Sequence, residues 1–366
     1  IAVTANHWTP IAGNYTGTFS GVFNGDNYTI SGVQLSDTYF STVGFIADNS
    51  GTICNLYIKS TFTGIDGRTG GLVGYNSGTV KNCHAESTIS NATNATNYSD
   101  IGGLVGYNIG TITESSSSGS VTHNSRGSSS SRGAGGLVGV NYNGTISLSY
   151  SSSDVTSSAT YSDFGTGGFV GNNCAHSSTA SVEEVAMIEY CYSTGTVNGY
   201  CAGGFAGKNY SYGENSLARI SNSYAQGDVT GSTVGGFVCN NIINNASKIN
   251  NSEILYCYAS GNSGENNIGA GLAYQNNCTI RYSYYNASNI GNTYGFSANA
   301  TRMRQQATYY GWDFNNVWDI IEGTGLPTLN VSGNKAEISI VGEGTIDNPY
   351  LIENELYSTF FFDNFC

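Results

Sequence analysis

The side chains able to do chemistry are few and widely spaced in this chain of 366 residues. Its four histidines, His7, His84, His123 and His176, stand singly, with neither an HExxH signature nor the Cys-His spacing of a zinc site. Glycosidase chemistry needs two carboxylates about 5 to 9.5 Å apart. Asp154 and Asp228 precede Val155 and Val229 in equivalent contexts but sit two repeats apart, and Glu183-Glu184 reads as a loop. A pair assembled across neighbouring repeats stays open. No Gly-x-Ser-x-Gly elbow or phosphate loop occurs, so the sequence assigns no catalytic, cofactor-binding or metal-ligating residue.

Two other chemistries have candidates. Asn-x-Ser/Thr acceptors for N-linked glycans stand at Asn14, Asn27, Asn91, Asn94, Asn97, Asn143, Asn209, Asn245, Asn250, Asn277, Asn286, Asn299 and Asn330. Asn91, Asn94 and Asn97 crowd one long loop and Asn245 and Asn250 share another, so several occupied sites are expected if the source has a eukaryotic secretory pathway. Nine cysteines leave at least one thiol unpaired or joined to a second molecule. Cys83, Cys191 and Cys257 align with Ser115, Ser149, Ser223 and Ser283 at one repeated position. Cys191 and Cys257, two rungs apart at about 4.8 Å per rung, exceed the reach of a disulfide, so this is a column of small side chains. Cys174 and Cys201, in loops of successive units, are the expected bridge.

What must position these residues is a repeat. Gly70-Gly71-Leu72-Val73-Gly74 returns as Gly102 to Gly106, Gly135 to Gly139, Gly167 to Gly171, Gly203 to Gly207 and Gly235 to Cys239, with decayed copies at Val43 to Ala47 and Ala270 to Ala273. The second glycine recurs every 27 to 36 residues, which marks a solenoid. Each unit divides into three short strands, in one case Ile101 to Tyr107, Thr111 to Ser115 and Gly119 to Thr122. Units this short cannot bury a face alone and must stack. The glycines provide either φ > 0 or a close backbone approach. Asn76, Asn108, Asn141, Asn173 and Asn209 recur at the next corner, where their amides can bond one another or hold a left-handed turn. Insertions precede the motif in early units and come after it in later ones, predicting two offset ridges of loops.

Gly-Leu-x-Gly with a downstream Asn-x-Gly-Thr-Ile resembles the GLUG repeat family. Phe19 to Gly32 resembles the segment that precedes such repeats, and Gly311 to Phe314 with Trp318 and Gly325 to Leu329 resembles the one that closes them. The resemblance implies an extracellular β-solenoid used in surface structures or adhesion, sometimes attached to a protease; no catalytic residue belongs to its motif. The expected fold is all-β, a right-handed parallel β-solenoid of about eight coils. Lead-in strands occupy residues 1–40, repeats 41–298, a closing segment with a short helix 299–330, and a tail 331–366. Trp312, Phe314 and Trp318 are expected over the open end of the core.

Composition narrows the partners. Gly is abundant at 50 residues without a collagen period, and 39% apolar residues with only 10% charged ones argue against disorder. A net charge of −13 disfavours nucleic acid and anionic membrane surfaces. No apolar run approaches the roughly 18 residues that span a bilayer, and Ile1 to Pro10 is unlike a signal peptide, so a secreted form would already have lost its leader. The expected role is a non-enzymatic extracellular or cell-surface structural protein, with a carbohydrate-active β-helix enzyme or a repeat module of a larger surface protease or adhesin as the alternatives. Finally, Gly342 to Ile352 resembles the opening of a GLUG-type module, while Trp8-Thr9-Pro10-Ile11 resembles the segment that comes next in such a module. That order suggests either a head-to-tail homopolymer or a piece of a longer polypeptide with tandem modules, which would make the same end-to-end contact within one chain. Tyr350, Phe360, Phe361, Phe362 and Phe365 would dock on the Trp8 and Ile11 end of the next molecule, with Cys366 available to seal the joint.

Overall fold

An aliphatic residue stands two places after the second glycine of each motif, and these residues set the register of one sheet. Ile46, Val73, Val105, Val138, Val170, Ala206, Val238 and Ala273 lie opposite one another in eight parallel strands. The structure, a computed structural model, describes residues 8–330 apart from 13–16, 37–39, 93–98, 125–131, 161–162, 180, 182, 214, 244–248, 264–267, 271 and 287–293. The chain divides into one unit over Ile1–Leu329 and a second over Asn330–Cys366. The tail 331–366, with Tyr350, Phe360, Phe361, Phe362, Phe365 and Cys366, lies outside the described residues.

The eight strands correspond to the eight expected coils of a parallel β-solenoid. The rest of each coil belongs to a 25-stranded sheet, also paired in parallel from coil to coil. Inside, one column runs through Leu72, Leu104, Leu137, Phe169, Phe205, Phe237 and Leu272, and another through Ile53, Val80, Ile112, Ile146, Ile188, Ile220 and Ile254, all fully buried. The phenylalanine rings stack at 4.7 and 4.8 Å. Each such side chain contributes about 1.5 to 3 kcal/mol, so a coil's stability comes from its neighbours.

The motif glycines act by close approach. The expected strand Ile101 to Tyr107 is in fact two, Ile101–Gly102 and Val105–Asn108, because the chain bends at Gly103-Leu104. The two limbs then lie back to back with no room for side chains: a Cβ at Gly171 would meet Gly133 Cα at 2.6 Å and Ala134 N at 2.6 Å. At the opposite corner every coil has a residue in the left-handed region, from Asn55, Asn82 and Glu114 through Leu148, Tyr190 and Asn222 to Tyr256 and Tyr282. The Ser/Cys column comes one residue later. Ser115, Ser149, Ser223 and Ser283 each donate to the carbonyl two residues back at 2.7 to 2.9 Å, and Cys83, Cys191 and Cys257 do so at 3.1 to 3.3 Å.

Several expectations need correction. Over residues 22–36 the lead-in is one long strand, Val22–Ser36, and the turn-forming residues Asn24 to Asn27 make a bulge within it, with Asp26 and Asn27 in the left-handed region. The insertions after the later motifs are largely strand. Val170–Ser177 and Glu184–Glu189, Ala206–Gly213 and Asn215–Ser221, and Val238–Ile243 and Ile249–Leu255 form paired arms that stack from coil to coil into a fin. Its thin core is possible because Ala175, Ala186, Ala218, Ser211 and Ser252 are small. The short helix expected in the closing segment is two 3-10 turns, Arg302–Arg304 and Gln306–Thr308.

The closing segment also lies elsewhere than expected. Tyr150, Tyr192, Tyr224 and Tyr258 form a column on the solenoid's flank, rings stacked at 4.8 to 5.0 Å. Trp318 packs on Tyr224 and Tyr258, and Trp312 on Tyr258 and Tyr284. Trp312, Phe314 and Trp318 therefore cover the side of the last coils, where aromatic rings await partners, and not the end of the core.

Candidate recognition surfaces

The repeated asparagines, which had the widest choice of roles, are spent on structure. Asn49, Asn76, Asn108, Asn141, Asn173, Asn209, Asn241 and Asn276 form one ladder, each Nδ2 donating to the next Oδ1 at 2.7 to 2.8 Å. Asn209 is fully buried within it, a packing that a glycan on this sequon would disrupt. Asn91 is buried too, its Oδ1 accepting from Asn124 N at 2.6 Å.

Of the remaining acceptors, Asn14, Asn94, Asn97 and Asn245 lie outside the described residues, as does the side chain of Asn250. Asn143 is engaged with His176 and Glu184, and Asn286 with Ser260 O. Asn277 and Asn299 are exposed but accept from Ile243 N and Arg302 N, and Asn330 is half-buried. Asn27, exposed on its left-handed bulge, is the best placed. In a glycosylating host, peptide mapping is expected to find glycan on Asn27 and none on Asn91 or Asn209; occupancy of either buried site would contradict this packing.

The disulfide expectation fails for an instructive reason. Cys201 is bonded to Cys239, with Cα atoms 5.7 Å apart, and Cys174 is an unpaired buried thiol opposite Tyr142 and Tyr210. Cys201 continues the column of Gly133 and Gly165, and Cys239 replaces the motif's last glycine, so the bridge occupies the back-to-back contact that glycines make elsewhere. The loss of that glycine was the available signal. Burial raises the pKa of the Cys83 and Cys174 thiols to about 12 and of Cys191 and Cys257 higher still, which keeps them unreactive.

The assembly residues Trp8 and Ile11 are also occupied within the chain. Trp8 stacks on Phe45 at 5.0 Å and its Nε1 donates to Phe45 O, while Ile11 bridges to Ile46. With Phe19 and Phe23 packed beside them, they cap the first coil.

One face groups charge with aromatic rings. Where the limbs before and after the motif diverge, the Arg68 guanidinium lies 3.9 Å from the Tyr107 ring centre and 5.3 Å from that of Tyr75. Arg68 Nε donates to Asp100 Oδ2 at 3.3 Å, and an open cavity of about 600 Å³ adjoins, lined by Asp48, Arg68, Tyr75, Ser41 and Thr42. Asp100 is 2% exposed; burial raises its pKa to about 6 even though Arg68 and Arg132 oppose the shift. Burial likewise raises the pKa of Asp48. Asp100 thus has the pKa of a general acid but no path to a substrate, since Arg68 and its own burial shield it. Asp154 and Asp228 each accept from a backbone N–H of the next coil, at Thr196 and Asn262, and Glu184 accepts from Asn143. Among the described residues no three His, Cys, Asp or Glu gather to hold a metal, and no helix is long and apolar enough to cross a membrane.

His123 is buried against Phe164, ring centres 4.0 Å apart, and bonded to Ser157. Burial first, then the Arg132 charge, lowers its pKa to about 3. The unfolded chain protonates this group at its ordinary 6.5. Its contribution to stability is therefore complete above that pH and lost as pH falls toward 3. Asp100 runs the opposite way: its raised pKa favours folding at low pH, and this benefit is lost as pH rises from 3.8 through about 6. The melting temperature of His123→Phe is expected to fall less on acidification from pH 7 to 4 than that of the parent protein. Parallel curves would contradict it.

Residues 66–90, 97–122 and 198–230 match the GLUG motif. The chain carries GLUG repeats. The strand register extends the GLUG unit to coils outside those three matches, since Val138, Val170 and Ala273 stand in line with Val73 and Val105. No curated protein matches the chain. A crystal structure described as a "putative immunoglobulin A1 protease from Bacteroides ovatus" is similar over 90% of this chain and 83% of its own, at 20% identity and a TM-score of 0.47. The fold assignment rests on the strand pairing.

Proposed function

We propose that this GLUG-repeat chain is a non-enzymatic module of an extracellular surface protein, a stiff spacer that presents fixed recognition surfaces for adhesion. The observation that carries the reading is the allocation of polar side chains. The repeated asparagines, serines and cysteines are consumed by contacts between coils, and the aromatic and charged residues outside are held rigidly by the rungs. A carbohydrate-active enzyme would need two accessible carboxylates facing one cleft, whereas Asp100 is buried beneath Arg68.

The capped first coil bears on assembly. Trp8 and Ile11 are engaged within their own chain, and the outer strand Val22–Ser36 has its edge broken by bulges, a device that discourages pairing with another molecule. The expected state of the full chain is a monomer. Sedimentation and electron microscopy of the full chain, beside a form lacking residues 338–366, test this: two monomers support the spacer reading, and filaments that require the tail would establish the head-to-tail homopolymer instead.

A further inference from the structure

Aromatic side chains in the closing segment are almost all consumed by packing: Tyr309, Trp312 and Trp318 are buried on the tyrosine column. Two rings in the same region are not. Tyr310 is 77% exposed and Phe296 56% exposed. They border an open cleft of about 690 Å³ whose other lining includes Tyr282, Tyr284, Arg302 and Gln305. Tyr284 lies 5.5 Å from Phe296 and Tyr282 6.2 Å from Tyr310, both tilted, so two aromatic pairs line the cleft.

The walls are fixed before anything binds. Tyr310 N donates to the Tyr284 hydroxyl at 3.0 Å, Thr308 Oγ1 to Arg302 O at 2.7 Å, Arg302 N to Asn299 Oδ1 at 2.9 Å and Gln306 N to Glu322 Oε2 at 2.9 Å. The turns that carry Arg302 and Gln305 are thereby tied to one another and, through Tyr310, to the last coil, and binding would cost little ordering entropy.

The mixture of groups selects the ligand class. A wholly apolar ligand would strand the Arg302 guanidinium and the Gln305 amide without water, a penalty on each polar group. A single-stranded nucleic acid could stack on the rings, but such strands are held by a basic groove, and this chain carries a net charge of −13. A sugar ring satisfies both kinds of surface. Its C–H face lies on an aromatic ring, and its hydroxyls meet the five-donor guanidinium and the donor-acceptor amide. We infer that the cleft between Phe296 and Tyr310 is a saccharide-binding site for a chain of a few sugar units. The inference deepens the reading of the molecule as an adhesive surface module and rests on it.

The test titrates the full-length protein with cellotriose, chitotriose and trigalacturonate, tracking bound ligand by saturation-transfer NMR and affinity by calorimetry. Binding of at least one trisaccharide is expected, with ring C–H protons receiving saturation, and with a loss of about tenfold or more in Tyr310→Ala and Phe296→Ala. Tyr28→Ala, an exposed ring on the first strand, is expected to leave binding unchanged. Preference for trigalacturonate, lost in Arg302→Gln, would mark the site as one for acidic sugars; equal response to the neutral trisaccharides would mark it as one for neutral sugars. Absence of binding to all three, or binding untouched by both alanine variants while their melting temperatures match the parent's, overturns the site. That failure leaves the spacer reading standing, because the latter is decided by assembly state.

Discussion

Replacing Gly136 by valine is expected to abolish ordered stacking in the middle of the solenoid, at a cost on the order of 4 kcal/mol or more. Gly136 is not among the residues with positive φ, so the reason is space and not backbone angle. A Cβ there would run into the carbonyl oxygen of Gly168 in the next coil and the hydroxyl of Ser151. That oxygen is part of the next coil's backbone and cannot retreat without separating two coils. Gly323 supplies the contrast, having φ of +79° and nothing within 4 Å of a Cβ. Gly323→Ala should cost only about 1 kcal/mol, from backbone strain. Chemical denaturation of the two variants checks the pair. Equal and small losses would mean that the coils do not approach each other as described.

The second large effect is expected at Asn141. Its Nδ2 donates to Asn173 Oδ1 at 2.8 Å and Gly144 O at 2.9 Å, and its Oδ1 accepts from Asn108 Nδ2 at 2.8 Å. Leucine would fill a similar volume yet leave three buried polar partners unpaired. With about 1 to 3 kcal/mol for each buried group left unpaired, Asn141→Leu should lose on the order of 4 kcal/mol. The same change at Asn276, the last and only half-buried member of the ladder, breaks its bonds to Asn241 and to the Cys278 backbone where solvent can replace part of them, and should cost distinctly less. Thermal melts of both variants provide the comparison. If the end variant loses as much as the central one, the ladder is not a buried chain of bonds whose interior matters most.

These effects show what was legible in the sequence. The period, the stacking of Leu72 on Leu104 and Leu137, the Ser/Cys column and the asparagine corner all come from residues that repeat, since a solenoid imposes the same surroundings on every copy. The sequence was ambiguous where one residue type serves two ends. Glycine permits both positive φ and close approach, and the structure resolves Gly136 to the second. Features occurring once were hidden. Trp8 and Ile11 resemble an interface because apolar residues near a terminus look alike whether they cover their own core or a neighbour's. The flank beneath Trp312 and Trp318 was visible only as tyrosines at matching places, Tyr150, Tyr192, Tyr224 and Tyr258. The cleft at Phe296 and Tyr310 depends on two turns meeting the last coil, and no periodicity records that meeting.

The Cys201–Cys239 bridge acquires a mechanical meaning when the molecule is under tension. A pull along the stacking axis loads the hydrogen bonds between neighbouring coils one interface at a time, so the molecule should lengthen in steps, each freeing a coil of 27 to 36 residues. At about 3.4 Å per extended residue, a step is roughly 100 Å. The bridge joins residues 38 apart in sequence, across one such interface. It therefore withholds about one step of slack, and reducing agents set how far a tethered molecule can reach before its backbone is taut.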